Sequence, residues 1–416
     1  MKRTAIVSLF ALACWFAPCR PAHSQITATL GSINSAAQLQ AALTGDATRV
    51  RPTQIAGTIT LTDTLNIING NGGGIVGVGQ TESLGPGNLL QKQFSRLVWA
   101  GARTGVTPII EIDRADPVLR DLSIDGATRA QMDASSPAKA KVGIQLSRAT
   151  GSYAGVGSGK IHANNVGIAY CETCLRVGEA AADVNCDEST FIDMFCDRFD
   201  TGVEFVNGQA LGWHFINARF RNTDSASDAC FRYLGGSNLK VWGSLITNQC
   251  TYLKFEDDTP SQFGAQGNYM IDGLKVDAAA DNSKMLDMDE GQLYYGRVTF
   301  RGLQLPNEAA TWTMPLFNVV GDTILILDEC LNLPPGCIEW DEVAGGRPAV
   351  IVQNCTFRHD SGTAMTVADL FATTNSDDRV CYKGSGNTQT YSHNSFIADE
   401  PAPESVDSWV TLDADP

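Results

Sequence analysis

Two acidic clusters carry the residue types from which a hydrolytic or cation-binding site could be built. One cluster follows the segment Tyr252–Phe255 and the other follows the segment Met285–Met288. Carboxylates on neighbouring strands can act as the acid and base of a glycoside hydrolase, or they can supply the oxygen ligands of Ca²⁺. An acidic surface that contacts only water is a third interpretation. The candidate catalytic acids are Asp257, Asp287 and Glu290, and the candidate Ca²⁺ ligands are Asp258 and Asp289.

Basic and aromatic residues lie close to these clusters in the sequence. A β-eliminating lyase needs a cation that neutralises the uronate carboxylate of its substrate, and a base near the proton that is removed. Lys254 is therefore a further candidate catalytic residue, and Arg232 and Glu204 are candidates for substrate binding. Tyr252 and Trp312 are candidate faces for stacking on sugar rings, with burial in a core as the alternative.

The elements that must position these residues belong to a repeat. Segments of the form apolar-x-(Asp/Asn/Gly)-apolar-x-apolar recur, and their turn-prone residues are Asp193, Asn217, Gly243, Gly273, Gly302, Glu329 and Asn354. The steps between these residues are 24, 26, 30, 29, 27 and 25. A near-constant period built from short strands indicates a solenoid, in which each coil buries its apolar face against the next coil.

A second series of short strands lies between the members of the first series. Side chains alternate between core and solvent along a strand, so parallel stacking predicts that the outward residues of this series form one line. These residues are Gln145, Ala169, Glu204, Arg232, Lys254, Asp287, Asn318, Glu339 and Thr366. The line is either a solvated ladder of ion pairs or part of a sugar-binding groove. The segment Cys171–Ser189 is predicted to be a loop.

The start of the chain shows an ordered succession of elements. Asn34–Leu43 has the pattern of a short amphipathic helix, and the strand-like segments Thr53–Ile67 and Gly72–Gln80 follow it. This order resembles the opening of the pectin-lyase-like superfamily of right-handed parallel β-helices. The resemblance implies an all-β, single-stranded right-handed parallel β-helix, with an N-terminal helix that caps the open end of the solenoid. The same fold is used by lyases, hydrolases, esterases, tailspikes and adhesins.

No specific enzyme family within that superfamily is matched. Polygalacturonases carry Gly-His-Gly and Arg-x-Lys motifs, and the sequence has neither motif downstream of Asp257-Asp258. Alginate-type lyases of this fold use a lysine and an arginine on nearby coils. Lys275 and Arg297 lie about one repeat apart and are candidates for substrate binding on that basis.

The first 24 residues have the composition of a secretory signal. Lys2 and Arg3 precede an apolar run that is too short to span a bilayer, and Ala22-His23-Ser24 resembles a cleavage site. We therefore predict a protein that is secreted, periplasmic or on the cell surface, without membrane insertion. The predicted domains are a signal peptide (1–24), a β-helix (25–397) and an acidic, flexible tail (398–416).

The balance of charges restricts the partners that the chain can bind. The formal net charge is −16, and the signal segment holds Lys2, Arg3 and Arg20 without any acid, so the remainder carries −16 − 3 = −19. Such a charge disfavours nucleic acid as a partner. It favours divalent cations and neutral or cationic ligands, and a polysaccharide is the predicted partner.

Cysteine usage also fits an exported protein. Of the twelve cysteines, Cys14 and Cys19 lie in the signal segment, and the ten that remain predict up to five disulfide bonds. These are Cys171, Cys174, Cys186, Cys196, Cys230, Cys250, Cys330, Cys337, Cys355 and Cys381. The first pairings that the spacing suggests are Cys230 with Cys250, and Cys330 with either Cys355 or Cys337. A zinc site among the first four of the ten is the alternative.

Two functional hypotheses follow from the sequence. The first is a secreted carbohydrate-active protein, a polysaccharide lyase or a glycoside hydrolase, with Ca²⁺ as a candidate cofactor. The second is a β-helix protein without catalytic activity that binds at a cell surface or has a structural role. The first hypothesis predicts that Arg232, Lys254, Asp257, Asp287 and Glu290 lie together in a groove.

Overall fold

The computed structural model describes a protein built almost entirely of β-strands. It describes residues 33–44, 52–68, 71–77, 95–103, 107–113, 116–132, 139–146, 161–179, 186, 188–206, 210–221, 228–247, 250–256, 267–278, 284–288, 295–306, 314–341, 349–359, 367–372, 379–383, 388–391, 396–397 and 408–412. Two short α-helices, α1 (Ala36–Thr44) and α2 (Arg129–Met132), and one 3₁₀ turn (Val367–Leu370) accompany the strands in this part of the chain.

The strands of the first half are β1 (Thr53–Ile55), β2 (Gly57–Leu61), β3 (Leu65–Ile68), β4 (Asn71–Gly77), β5 (Ser95–Trp99), β6 (Pro108–Asp113), β7 (Asp116–Asp125), β8 (Ala140–Leu146), β9 (His162–Ala169), β10 (Cys171–Val177), β11 (Thr190–Asp197), β12 (Thr201–Phe205) and β13 (Leu211–Ile216). The strands of the second half are β14 (Arg219–Arg221), β15 (Ala229–Tyr233), β16 (Ser237–Thr247), β17 (Thr251–Phe255), β18 (Gly267–Ala278), β19 (Leu286–Met288), β20 (Tyr295–Arg301), β21 (Phe317–Val320), β22 (Asp322–Asp328), β23 (Ile338–Asp341), β24 (Ala349–Gln353), β25 (Thr356–His359), β26 (Arg379–Lys383), β27 (Thr388–Tyr391), β28 (Phe396–Ile397) and β29 (Ser408–Leu412).

Two long sheets contain most of these strands. Sheet A runs in the order β1-β4-β7-β9-β11-β13-β16-β18-β20-β22-β24-β26-β29, and β2, β5 and β14 also pair within it. Sheet B runs β3-β6-β8-β10-β12-β15-β17-β19-β21-β23. From β6 to β24 the chain alternates between the sheets, and neighbouring strands pair in parallel. This stacking is consistent with a β-helix-like solenoid.

The register of sheet A reproduces the period that the sequence predicts. Phe191 pairs with Phe215, and the pairing continues through Val241, Ile271, Phe300, Leu327 and Val352. The steps between these buried residues are 24, 26, 30, 29, 27 and 25, the same as those between the turn-prone residues. The repeat is therefore one strand-to-strand step in sheet A, and its prediction is confirmed.

The seven turn-prone residues share one backbone conformation. Each has a positive φ, between 53° and 72°, and bends its strand within sheet A. Asn, Asp and Gly tolerate this left-handed region better than other residues, which explains their recurrence. The structure adds Asp121 and Asn165 to the same column, where the Asn165 Nδ2 donates to Asp121 Oδ1 at 2.8 Å.

The core lies between the sheets and consists of stacked apolar side chains. In sheet B, Tyr233 lies between Phe205 and Phe255, with ring centroids 4.4 and 5.2 Å apart. In sheet A, Phe191 stacks on Phe215 at 5.4 Å. Each coil thus covers the aromatic rings of the coil before it, as the solenoid interpretation requires.

Helix α1 packs at the first strand of sheet B. Ser35 and Gln38 form the side-chain contacts of a capping box, since the Gln38 N–H donates to Ser35 Oγ and the Asn34 N–H donates to Gln38 Oε1. Leu39 is buried in the main core. Gln40 exchanges two hydrogen bonds with the backbone of Asn66 in β3, at 2.8 and 3.1 Å.

Strands of the C-terminal segment pair in the opposite direction to those of the repeat. β28 is antiparallel to β27, and β29 is antiparallel to β26 at the end of sheet A. Residues Ser408–Leu412 therefore form a strand within the tail for which the acidic composition predicts flexibility.

Candidate functional site

The outward residues of sheet B form the predicted line. Gln145, Arg176, Glu204, Arg232, Lys254 and Asp287 are register partners on successive strands, and Asn318 pairs with Glu339. The prediction is wrong for Ala169, whose strand β9 contains the bend residue Asn165 and belongs to sheet A. Arg176 takes its place, because Cys171–Val177 is strand β10 rather than a loop. Thr366 lies outside the described residues.

Glu204 joins two arginines in the middle of this line. Its carboxylate lies 3.1 Å from Arg176 Nε and 3.1 Å from Arg232 Nη1. Arg232 also donates from Nε to Glu256 Oε2 at 2.8 Å and lies 3.5 Å from Asp228 Oδ2. The Glu204 side chain is 9% exposed and that of Arg232 is 28% exposed, so these charges are only partly screened by solvent.

Lys254 is held by the same two acids. Its Nζ lies 2.6 Å from Asp228 Oδ1 and also contacts Glu256. Burial by itself would lower the pKa of Lys254, but the hydrogen bonds and charges of Asp228 and Glu256 outweigh it and raise that pKa. Lys254 therefore stays protonated, so it is a cation, and a protonated amine cannot serve as a general base.

These six side chains form a closed group, which we call the charged ladder. Its members are Arg176, Glu204, Asp228, Arg232, Lys254 and Glu256. Three cations and three carboxylates give a formal charge of zero. Burial alone would raise the pKa of Glu256, but Lys254 and Arg232 lower it below its ordinary value, and Arg232 has a raised pKa because its acidic neighbours outweigh its burial. Arg232, Lys254 and Glu256 are thus charged at neutral pH.

Asp287 continues the line beside Lys254 but has a different partner. Lys284 Nζ lies 2.7 Å from Asp287 Oδ1. The other predicted acids, Asp257, Asp258, Asp289 and Glu290, lie outside the described residues. The strands that precede them are neighbours in sheet B, with Phe255 opposite Met288. The two acidic clusters therefore follow, in the sequence, two strands that are neighbours in sheet B.

Lys275 and Arg297 lie on sheet A and are not brought together. The register partner of Arg297 in β18 is Asn268, whereas Lys275 pairs with Gln304. Asn268 and Lys275 lie on opposite sides of the bend at Gly273. These two residues consequently do not join the charged ladder as a substrate-binding pair.

Tyr252 is a core residue and not a sugar-stacking face. It is fully buried, with its ring 5.5 Å from that of Phe231 in an edge arrangement. Burial raises the pKa of its hydroxyl. Its ring also lies 6.3 Å from that of Phe220, so the side chain packs between a strand of sheet A and a strand of sheet B. Trp312 lies outside the described residues.

A second group of charges was not found from the sequence. Asp125 and Asp197 occupy the same place on β7 and β11, on either side of Ala169 in β9. Arg96 Nε donates to Asp125 at 2.9 Å, and Arg221 donates two hydrogen bonds to Asp197 at 2.9 and 3.0 Å. Burial raises the pKa of Asp125 to about 6, against the lowering effect of Arg96. The feature of the sequence that could have indicated this group is the Asp at the end of each of the two repeat segments, Asp125 and Asp197.

All nine described cysteines are buried, and no disulfide bond joins any two of them. The predicted disulfide bonds therefore remain predictions. Both first pairings place sulfur atoms side by side, however. Cys230 Sγ is 3.1 Å from Cys250 Sγ, and the thiols of Cys330 and Cys355 are hydrogen-bonded. The side chain of Cys381 lies outside the described ones.

A cluster of metal ligands and a membrane-spanning helix are both absent from the described residues. No three His, Cys, Asp or Glu side chains within these residues converge as a metal site. The Ca²⁺ prediction rests on Asp258 and Asp289, which lie outside them, and so it stays a prediction. No helix in the described part of the chain has the length and apolarity to cross a membrane.

Comparisons with known proteins add little to this geometry. No family model matches the chain, and no curated protein matches it. Among solved structures, ORF18 of Geobacillus virus E2 is similar to 84% of this chain, with 13% sequence identity and a TM-score of 0.36. The similarity covers 58% of the ORF18 chain. A likeness at this level carries no argument about function.

Proposed function

We propose that this chain is an extracellular right-handed parallel β-helix protein of the pectin-lyase-like superfamily that binds a neutral polysaccharide along the outer face of sheet B. The repeat in register and the parallel pairing support the fold. The packing of α1 against β3 supports a capping role for that helix, because an uncovered sheet end invites association. The predicted secretory signal supports an extracellular location.

The charged ladder is the observation that carries the binding proposal. Its polar groups follow one another at the spacing of parallel strands, about 4.8 Å. Such a row suits a polymer that lies along the solenoid and offers hydroxyl groups at regular intervals. Mutual ion pairs fix the rotamers of Arg176, Glu204 and Arg232, so little side-chain entropy is lost on binding. The arginine N–H groups and carboxylate lone pairs that remain unused can bind sugar hydroxyls.

The sum of charges favours a neutral ligand. A polyuronate needs cations that are free to pair with its carboxylates, but every cation of the ladder already contacts at least one protein carboxylate. The negative net charge of the chain also repels a polyanion. A neutral polysaccharide meets neither obstacle, because its hydroxyl groups can add to the existing ion pairs without replacing them.

Cleavage of the polysaccharide is a second candidate function. It is favoured by the pairing of β17 with β19, the two strands that the acidic clusters follow in the sequence. Asp257 and Glu290 would then act as an acid and base pair next to the bound polymer. Asp258 and Asp289 would be placed to bind Ca²⁺. Lys254 would orient the substrate in this scheme, because a protonated amine cannot accept a proton.

Substitution within the ladder tests the binding proposal. Neutral and anionic polysaccharides would be embedded in native gels, and the retardation of the folded chain would give an apparent affinity for each. Arg232→Gln should weaken binding of a neutral polysaccharide about tenfold, the equivalent of about 1.4 kcal/mol. Arg301→Gln on sheet A is the matched control, because Arg301 also pairs with a glutamate, Glu329, at 3.2 Å.

The control should bind as the unsubstituted chain does, and circular dichroism would verify that both variants are folded. Equal binding by Arg232→Gln and the unsubstituted chain would refute the assignment of sheet B. Preferential binding of anionic polysaccharides would refute the neutral class.

A further inference from the structure

The described cysteines include three pairs whose thiols are neighbours in the core. The thiols of Cys174 and Cys196 are hydrogen-bonded, and so are those of Cys330 and Cys355. The sulfur atoms of Cys230 and Cys250 lie 3.1 Å apart. We propose that these three pairs form disulfide bonds when the chain folds under oxidising conditions. This inference does not depend on the proposed function.

The strand geometry suits the bond between Cys330 and Cys355. Cys330 and Cys355 directly follow the bend residues Glu329 and Asn354, so they occupy the same position on neighbouring coils. Residues so placed on parallel strands lie about 4.8 Å apart, within the Cα separation of about 4.4–6.8 Å that disulfide bonds need. Closing this bond thus requires rotation of the two side chains and leaves the backbone in place.

The three bonds would join different parts of the solenoid. Cys230 lies in β15 and Cys250 directly precedes β17, so this bond would link neighbouring strands of sheet B. The bond between Cys330 and Cys355 would link neighbouring coils of sheet A. Cys174 in β10 and Cys196 in β11 would link sheet B to sheet A. Each bond closes a loop of about one coil, with separations of 196 − 174 = 22, 250 − 230 = 20 and 355 − 330 = 25 residues.

The chemistry balances with a disulfide as the oxidant. Glutathione disulfide, or a protein thiol oxidase that carries a disulfide, accepts two electrons for each bond formed. One cysteine thiolate attacks the oxidant, which releases one thiol and leaves a mixed disulfide. The thiolate of the second cysteine then displaces the other thiol. Two protein thiols and one oxidant disulfide thus become one protein disulfide and two thiols.

The burial of these thiols determines when the bonds can form. Burial raises the pKa of Cys174, Cys230 and Cys330, and a thiol that is neutral and enclosed does not attack a disulfide. Oxidation of the folded, reduced protein should therefore be slow. Oxidation during folding, before one coil covers the next, should be fast. The bonds are consequently expected in protein that folds in an oxidising compartment or refolds with glutathione disulfide.

Mass spectrometry of the full chain tests the proposal. The chain would be refolded with reduced and oxidised glutathione, then denatured and alkylated without a reductant. Of the ten cysteines beyond residue 24, at most 10 − 6 = 4 should be alkylated. Trypsin cleaves after Arg176, which lies between Cys174 and Cys196, and after Lys240, which lies between Cys230 and Cys250. Each of these two bonds should therefore leave a pair of linked peptides. A glutamate-specific protease cleaves after Glu339, between Cys330 and Cys355.

Matched variants resolve the remaining ambiguities, because Cys330 shares a peptide with Cys337, Cys174 shares one with Cys171, and Cys196 shares one with Cys186. Cys171→Ser and Cys186→Ser should keep the link between the two tryptic peptides that meet at Arg176, and Cys174→Ser should lose it. Cys337→Ser should keep the link to the Cys355 peptide, and Cys330→Ser should lose it. The reverse result would overturn this pair. Ten alkylated cysteines in refolded chain with a native circular dichroism spectrum would overturn the whole proposal, as would a different set of linked peptides. Oxidation of folded and unfolded chain at equal rates would contradict the burial of the thiols.

Discussion

The ion pair between Arg232 and Glu204 allows a quantitative test of the charged ladder. Replacing Arg232 with Met removes one of the two arginines that contact Glu204, whose side chain is 9% exposed. A fully buried pair costs about 3–5 kcal/mol when one partner is removed, and a surface pair contributes about 0–1 kcal/mol. With Arg232 at 28% exposure, we expect Arg232→Met to cost about 2 kcal/mol of unfolding free energy.

A double-mutant cycle isolates the pairwise part of that cost. Arg232→Met, Glu204→Met and the double variant would be unfolded in urea and compared with the unsubstituted chain. The expected coupling energy is about 1 kcal/mol. The pair Arg301–Glu329 is the control, since its 3.2 Å separation is similar but its side chains are 47% and 53% exposed. Its coupling should be smaller than that of the Arg232–Glu204 pair, because solvent screens the two exposed charges.

The cycle has a clear refuting outcome. If the two pairs give equal coupling energies, partial burial does not strengthen the ladder, and the argument that its side chains are held ready for a ligand fails. The magnitude of the single-variant cost does not decide this point, because truncation of a long side chain also removes packing.

Three further predictions concern other parts of the fold. Burial raises the pKa of Asp125 to about 6 from 3.8. The free energy of unfolding should therefore fall by about 3 kcal/mol as the pH rises from about 4 to above 6. Unfolding measured across this pH range should show the fall in the unsubstituted chain and not in Asp125→Asn. Gly273→Val should lower the melting temperature, because φ is +72° there and a branched side chain costs about 1–2 kcal/mol in that conformation. Glu329→Gly should raise the melting temperature, because glycine adopts a positive φ without that cost. Deleting residues 398–416 removes β29 from the edge of sheet A, and light scattering should then detect self-association.

The repeat was predictable because its signals are local. A bend residue with positive φ recurs in each coil, and apolar side chains alternate around it, so residue type alone identified seven bends from Asp193 to Asn354. The coil that contains Asn165 escaped detection. Its distance from the preceding bend at Asp121 is 165 − 121 = 44 residues, and so it departs from the period. Strand β10 lies after this interval, in the cysteine-containing segment Cys171–Ser189 that was predicted to be a loop.

The candidate site was less predictable, because it depends on contacts between coils. Alternation correctly placed Arg232 and Lys254 on one outward line. It could not show that Asp228, which lies before β15, reaches both of them. Alternation would place Tyr252 on the outward side together with Lys254, whereas this second residue of β17 is fully buried. The total charge of the ladder is zero only because of contacts made in the folded chain, and the alternation of residues along a strand does not predict these contacts.

The most direct test of the central claim is a polysaccharide panel that reads binding and cleavage together. The folded chain would be incubated with neutral and uronate-containing polysaccharides, with and without Ca²⁺, while affinity, reducing ends and ultraviolet absorbance of unsaturated uronates are measured. We predict binding of at least one neutral polysaccharide without new reducing ends or absorbance. New reducing ends would favour the hydrolase instead, and a rise in absorbance would favour a lyase. Absence of binding across the panel would contradict the account.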